Sequence, residues 1–218
     1  MSVIKKNAPG SSELLMGNEA IARGALEAGI QFAAAYPGNP SSEIIGSLSE
    51  VAEEMGIYVE WSVNEKVALE AATSASFSGL RALSAMKQNG VNVASDFILN
   101  LNLSGVGTGG LVLVAADDPG AISSTNEEDS RFIAKLGDLS LLEPATFQEA
   151  KDMTRWAFEL SEAINSLVVL RSVSRISHAR GNVILGELPR EKRTARYDTS
   201  KIFIPVSAPL RHLALHMK

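Results

Sequence analysis

A doubly wound, mostly parallel α/β sheet with helices on both faces is the fold that the sequence predicts. Two patterns predict it. Short apolar runs alternate with stretches of helical periodicity between residues 17 and 171, the order of a parallel sheet with crossover helices. The apolar runs are also continuous, as in strands buried on both faces. About six strands are expected from the runs and ordinary strand lengths.

The elements follow in order. Gly17 to Ala28 carries Ile21, Ala25 and Ala28 at helical spacing, and Gly29 stops it. Phe32 to Tyr36 is a short apolar run, broken by Pro37-Gly38-Asn39-Pro40. Ser41 or Ser42 then caps a helix to Met55, with Ile44, Ile45, Leu48 and Val51 on one face. Tyr58 to Ser62 reads as a strand, Glu65 to Ser78 as an Ala-rich helix, and Arg81 to Met86 as a strand. A helix over Asn92 to Leu103 precedes a glycine-rich loop, Gly105 to Gly110, and the clearest strand, Leu111 to Ala116. After the polar loop Asp117 to Glu127 come a helix at Asp129 to Leu136 and a strand at Leu139 to Glu143. The amphipathic helix Phe147 to Ala163 and the strand Ser166 to Arg171 complete the core. The expected organisation is an N-terminal segment over residues 1–13, one α/β domain over 14–186, and a charged, proline-bearing linker over 187–218.

Composition narrows the function classes. The chain has 218 residues, a net charge of −5 and no cysteine. Disulfides, thiolate metal sites, a cysteine nucleophile and cysteine-ligated clusters are thereby excluded from it. No basic stripe with interleaved aromatics suggests nucleic acid. No apolar run approaches the roughly 18 residues of a membrane span, and residues 1–12 lack the apolar core of a signal peptide. A cytoplasmic protein is expected. His212 and His216 lack a third ligand, so no metal site is assigned. The run Gly105-Val106-Gly107-Thr108-Gly109-Gly110 precedes a strand, whereas a dinucleotide fingerprint opens a helix.

In an open parallel sheet, ligands bind beyond the carboxyl ends of the strands. The candidate segments are therefore Tyr36 to Ser42, Ser62 to Glu65, and Asp117 to Asn126. Each also has a purely structural reading. Ser62-Val63-Asn64-Glu65 fits a capping box, with Ser62 as N-cap and Glu65 at N3. Pro37 to Pro40 fits a proline-set turn, and 117–127 a chain of turns.

These segments carry a resemblance. Tyr36-Pro37-Gly38-Asn39-Pro40-Ser41-Ser42-Glu43 resembles a conserved-order turn of the 2-oxoacid:ferredoxin oxidoreductases, with Asn39 where that family has threonine. Trp61-Ser62-Val63-Asn64-Glu65-Lys66-Val67-Ala68 is similar to their segment bearing the thiamine-activating glutamate. Met86-Lys87-Gln88 with Asn92-Val93-Ala94-Ser95-Asp96, and Asp117-Asp118-Pro119-Gly120 with Ser123-Ser124 and Asn126-Glu127, resemble the indolepyruvate branch. So do Lys151-Asp152-Met153-Thr154-Arg155 and Ser177-His178-Ala179-Arg180-Gly181. The likeness runs from about Leu14 onward and points to the N-terminal, pyrimidine-binding domain of the alpha subunit.

The resemblance implies a thiamine-diphosphate-binding fold of the pyrimidine type, within an enzyme that oxidatively decarboxylates a 2-oxoacid to an acyl-CoA and passes electrons to ferredoxin. It implies that Glu65 is catalytic. A carboxyl held out of water and hydrogen-bonded to the pyrimidine N1′ favours the tautomer that takes the cofactor's acidic proton. Tyr36, Pro37, Gly38, Asn39, Pro40, Gln88 and Asn92 are the expected cofactor-binding residues. Lys87 also follows a strand toward the cleft.

The family's magnesium–diphosphate pattern begins Gly-Asp-Gly, whereas Gly137-Asp138-Leu139 lacks the second glycine. Magnesium and iron–sulfur clusters are therefore expected on other domains or partner chains, and the thiamine site here is a half-site. The expected partners are a diphosphate-binding domain, an acceptor (beta) subunit, ferredoxin, the 2-oxoacid and CoA, and a further copy of the chain. Alone, a truncated or split chain of this kind is expected to lack turnover. No arginine lies within the 117–127 loop, unlike pyruvate-specific relatives, which favours an aryl pyruvate. Two alternatives stay open: a subunit of a split thiamine-dependent 2-oxoacid decarboxylase, and a non-catalytic assembly domain.

Overall fold

The structure is a computed structural model and describes residues 2–198. In chain order it contains β1 (Ser12–Met16), α1 (Gly17–Glu27), β2 (Phe32–Ala35), α2 (Ser42–Met55), β3 (Tyr58–Trp61), α3 (Glu65–Phe77), β4 (Ala82–Lys87), α4 (Gln88–Val93), α5 (Ser95–Ser104), β5 (Leu111–Asp117), α6 (Ser130–Leu136), β6 (Ser140–Leu142), α7 (Phe147–Ile164), β7 (Val168–Val173), α8 (Ser174–His178) and β8 (Arg180–Ile184).

Six strands form one wholly parallel sheet in the order β3-β2-β4-β5-β7-β6. Winding reverses between β2 and β4, so the crevice for a ligand opens beyond the carboxyl ends of those two strands. The continuous apolar run of β5 is buried throughout. Its Val112 and Val114 face α1, α2 and α7, packing with Ile21, Ile45 and Phe158. Its Leu111, Leu113 and Ala115 face α3, α5 and α6, packing with Leu69, Ile98 and Ala134. The period of two divides the strand between two cores, as a doubly wound sheet requires.

Several local expectations are corrected. The helix expected over Asn92 to Leu103 is two helices, which meet at Ala94. Ser41 occupies the N-cap of α2 without a side-chain capping bond, because its hydroxyl donates to the Gly38 carbonyl at 2.8 Å. Ser42 instead accepts the Gly38 N–H at 2.9 Å. The capping box on Ser62 does not form. Asn64 is the N-cap of α3, accepting the Val67 N–H at 2.9 Å, while the Ser62 hydroxyl donates to Glu60.

Residues ahead of the expected domain start belong to the packed body. β1 pairs antiparallel with β8, and Ile4 is buried in the core beside α1 and α2. Arg23, fully buried on α1, ties the segment before β1 to the residues just after β8. Its guanidinium donates to the carbonyls of Ile4, Lys6 and Gly186 at 2.6–2.8 Å and to Glu27 at 2.8 Å. Glu27 also accepts from Lys151 at 2.8 Å and from the Gly186 N–H at 2.6 Å.

The described part of the expected linker, residues 187–198, has no helix or strand but lies along the amino edge of the sheet. Gln31 and Arg193 exchange two hydrogen bonds, and the Arg196 N–H donates to Ser78 at 2.7 Å. Arg193, from the basic cluster, pairs with Glu162 at 2.6 Å. His212 and His216 lie outside the described residues. Among the described residues, no helix is long and apolar enough to cross a membrane.

Candidate functional site

The crevice is bounded by three segments: the turn after β2, the start of α3, and α4 with the loop that covers it. The turn from Tyr36 to Ser41 is short and fixed from beneath. Asn18, at the start of α1, donates one amide to both the Pro40 carbonyl and Glu43, each at 2.8 Å. Pro40 is buried, and its peptide bond with Asn39 is cis. Tyr36, Pro37 and Asn39 are exposed. The Asn39 side chain has no hydrogen bond among the described residues.

Glu65 is the first residue of α3, one position after its cap. Because Asn64 satisfies the helix end, the Glu65 carboxylate is released from any capping duty. The side chain is 8 % exposed. It has no hydrogen-bond or ion-pair partner among the described residues. Its carboxyl rests on the backbone of α4 at Gly90, where an added Cβ would lie 2.8 Å from Oε1 and 2.9 Å from Cδ. Only glycine leaves room for that close approach.

Gln88 is buried at the first turn of α4. Its amide donates to the Asn126 carbonyl at 3.1 Å, while its Oε1 is buried without a partner. Asn89 donates to Asn126 Oδ1 at 2.8 Å, and its own Oδ1 is likewise unpartnered. Asn126 in turn donates to Glu128 at 2.9 Å. The long loop after β5 is thus pinned across α4. Asn92 is exposed, and its side chain makes no hydrogen bond among the described residues.

Buried carboxylates hold both ends of that loop. Asp118 accepts the N–H groups of Ser123 and Ser124 at 2.7 and 2.8 Å, and the hydroxyls of Ser123 and Ser174. Burial alone pushes its carboxyl upward. The hydrogen bonds from Ser174, Ser123 and Ser124 outweigh that, holding it down at about 2. At the far end Asp117 accepts from Ser130 and pairs with Arg171 at 2.6 Å, and Arg171 also reaches Glu143.

The structure thus brings Gly38, Glu65 and Gln88 around one crevice and leaves Asn92 outside its polar contacts. Sequence reasoning missed Asn89, Asn18 and the Asp117–Arg171 pair. Asn89 directly follows Gln88, so only knowledge that the helix starts at Gln88 would have pointed to it. Nothing in local sequence pairs Asn18 with Pro40.

The turn after β2, the helix-start carboxylate after β3 and the polar helix after β4 surround one crevice at the switch point. Residues 23–202 match the family described as pyruvate flavodoxin/ferredoxin oxidoreductase, thiamine diphosphate-binding. The chain belongs to that family. Within it, the chain is 55 % identical over 183 residues to the indolepyruvate oxidoreductase subunit IorA of Pyrococcus abyssi, covering 84 % of this chain and 28 % of that protein. It is 46 % identical over 211 residues to the subunit of that name from Methanothermobacter thermautotrophicus, covering 96 % and 34 %. The chain therefore spans about a third or less of the length of these curated relatives. A solved 2-oxoglutarate:ferredoxin oxidoreductase from Magnetococcus marinus shares the family's fold, with a TM-score of 0.73 at 18 % identity over 85 % of this chain and 33 % of that one.

Proposed function

We propose that this chain is the pyrimidine-binding domain of a thiamine-diphosphate-dependent 2-oxoacid oxidoreductase, with an aryl pyruvate such as indolepyruvate as substrate. The observation carrying the proposal is Glu65: a buried carboxylate, free of partners, at the mouth of the switch-point crevice.

The residues fit the cofactor. A ring nitrogen needs a carboxyl to share a proton with, and Glu65 has no competing partner. An exocyclic amine needs acceptors, and Gln88 Oε1 is a buried acceptor without a donor, a costly state that a ligand would relieve. When bound, thiamine diphosphate supplies the nucleophilic carbon and electron sink that 2-oxoacid decarboxylation requires. Glu65 holds the proton at N1′, Gln88 orients the amino edge, and the turn from Tyr36 to Pro40 excludes water from one side. Asn92 has no such support from its position and is the weakest member of the expected set.

Tyr36, Trp61, Val63 and Val67 are exposed around Glu65, from 37 % to 78 %. Apolar surface of this kind beside a half-site suits coverage by a second domain. We assign that cover to a diphosphate-binding domain, which would bring magnesium. Iron–sulfur clusters, the acceptor subunit, ferredoxin and CoA belong to the rest of the assembly.

In the assembled oxidoreductase, Glu65→Gln should lower 2-oxoacid oxidation by at least about a hundredfold, the range lost when a positioned proton-transfer group is removed. Unchanged turnover would sink the catalytic assignment and favour an assembly-domain role. Calorimetry should show thiamine diphosphate binding to this chain only together with the diphosphate-binding partner.

A further inference from the structure

We propose that Lys87 recognises the carboxylate of the 2-oxoacid substrate. This rests on the reading of the crevice as the thiamine site. Lys87 is the last residue of β4, on the strand that borders the switch point, and is paired in register with Ala116 of β5. It is half-buried. Its aliphatic stem lies along Gly38 of the turn after β2, where an added Cβ would stand 3.2 Å from Cγ and 3.3 Å from Cδ. The lysine therefore spans the crevice mouth, linking the two segments that define it.

Three other cations at this edge are already neutralised. Lys66 pairs with Asp96 at 3.0 Å, Arg131 with Asp129 at 2.6 Å and Arg171 with Asp117 at 2.6 Å. Arg175 has no such partner but is exposed on α8. Lys87 is partly withdrawn from water, and its ammonium has no hydrogen bond or ion pair among the described residues. Three residues beyond it, Gly90 seats the Glu65 carboxyl, yet Glu65 and Lys87 do not pair. The crevice thus keeps one bare carboxylate and one bare ammonium apart.

A partly desolvated ammonium without a counter-ion is unfavourable unless a ligand supplies the anion. A 2-oxoacid carries its carboxylate directly beside the carbonyl that must reach the reactive carbon, so its anion enters this same crevice. The diphosphate is an alternative anion, but the proposed function places it against another domain.

The carboxylate charge disappears as carbon dioxide leaves. Until then the carboxylate stays on the substrate, so a contact to it is equally strong in the bound substrate and during addition of its carbonyl to the cofactor, and its loss should appear in KM and not in kcat.

The test uses the assembled oxidoreductase with Lys87→Met, Lys87→Gln and Lys87→Arg. The first two should raise KM for the 2-oxoacid about tenfold to a hundredfold, the range of a lost charge-assisted hydrogen bond, with kcat within about twofold. Thiamine diphosphate affinity should be unchanged, and Lys87→Arg should restore most of the KM. An unchanged KM in both neutral variants would overturn the proposal. So would a matching loss of thiamine diphosphate affinity, which would make Lys87 a cofactor ligand. If Lys87→Met fails to assemble, Lys87→Gln decides. Glu65→Gln, run in parallel, separates the two claims: full activity there removes the cofactor reading, while the KM of the Lys87 variants still decides the carboxylate contact.

Discussion

Asp118 shows how much one side chain can do for a loop. Its two oxygens accept from two N–H groups and two hydroxyls, which fixes the first turn after β5. Its folded-state value of about 2 lies below the ordinary 3.8, so the proton binds the unfolded chain more tightly. Its stabilisation is complete above 3.8 and is lost as pH falls toward about 2. The thermal midpoint should decline across that window, and Asp118→Asn should flatten that part of the decline. An identical acid profile in the variant would remove this carboxylate from the account. At the same scale, the role proposed for Glu65 was read from the sequence, but its local geometry was not legible there. Ser62 and Asn64 are both good caps two positions apart. Which one wins depends on Ser62 being drawn to Glu60 across its own turn. The exposure of Asn92 was equally illegible, since nothing local marks which residues of the six-residue helix starting at Gln88 face solvent.

At the scale of elements, two helices with side-chain caps allow a controlled comparison. Asn64 caps α3 beside the crevice, and Thr146 caps α7, accepting the Glu149 N–H at 3.1 Å. Asn64→Ala and Thr146→Ala should each cost about 1 kcal/mol in denaturant unfolding. Only Asn64→Ala should also weaken cofactor binding in the assembly, because only it loosens the residue next to Glu65. Equal effects on binding would mean that the cap does not position the carboxylate. The strands and helices of the main sheet were readable because burial on both faces writes continuous apolar runs, and α7 because its apolar stripe is strict. The pair β1 and β8 was not. Ser-Glu-Leu-Leu-Met has no β-branched residue and Arg-Gly-Asn-Val-Ile carries a glycine, with one strand burying only Leu15 and the other only Val183. Their pairing is decided by the rest of the fold.

For the whole molecule, the buried group of Arg23, Glu27 and Lys151 is the connection between layers that the sequence concealed. Three charged residues on two helices far apart in the chain look like ordinary surface positions. Only the packing of α1 on α7 encloses them. Glu27→Ala would leave Arg23 and Lys151 buried with less compensation and should destabilise the domain by about 3–5 kcal/mol. Urea unfolding checks this, and a loss below about 1 kcal/mol, the scale of an exposed pair, would show that the group is effectively solvated. The doubly wound order itself followed from strand–helix alternation. The position of β6 outside β7 did not, since alternation alone does not set the strand order.

The antiparallel pair at the chain ends has a mechanical consequence. Ser12 faces Ile184 and Met16 faces Arg180, so the chain enters and leaves at the same end of this ribbon. Tension applied through the two ends would load its hydrogen bonds one after another, as a zipper is opened, once the Arg23 contacts had yielded. Apart from the amino-edge contacts of residues 193–196 with Gln31, Ser78 and Glu162, the parallel sheet and its crevice would bear force only after the ribbon had parted. The ribbon is in effect a fuse, yielding first and sparing the geometry around Glu65.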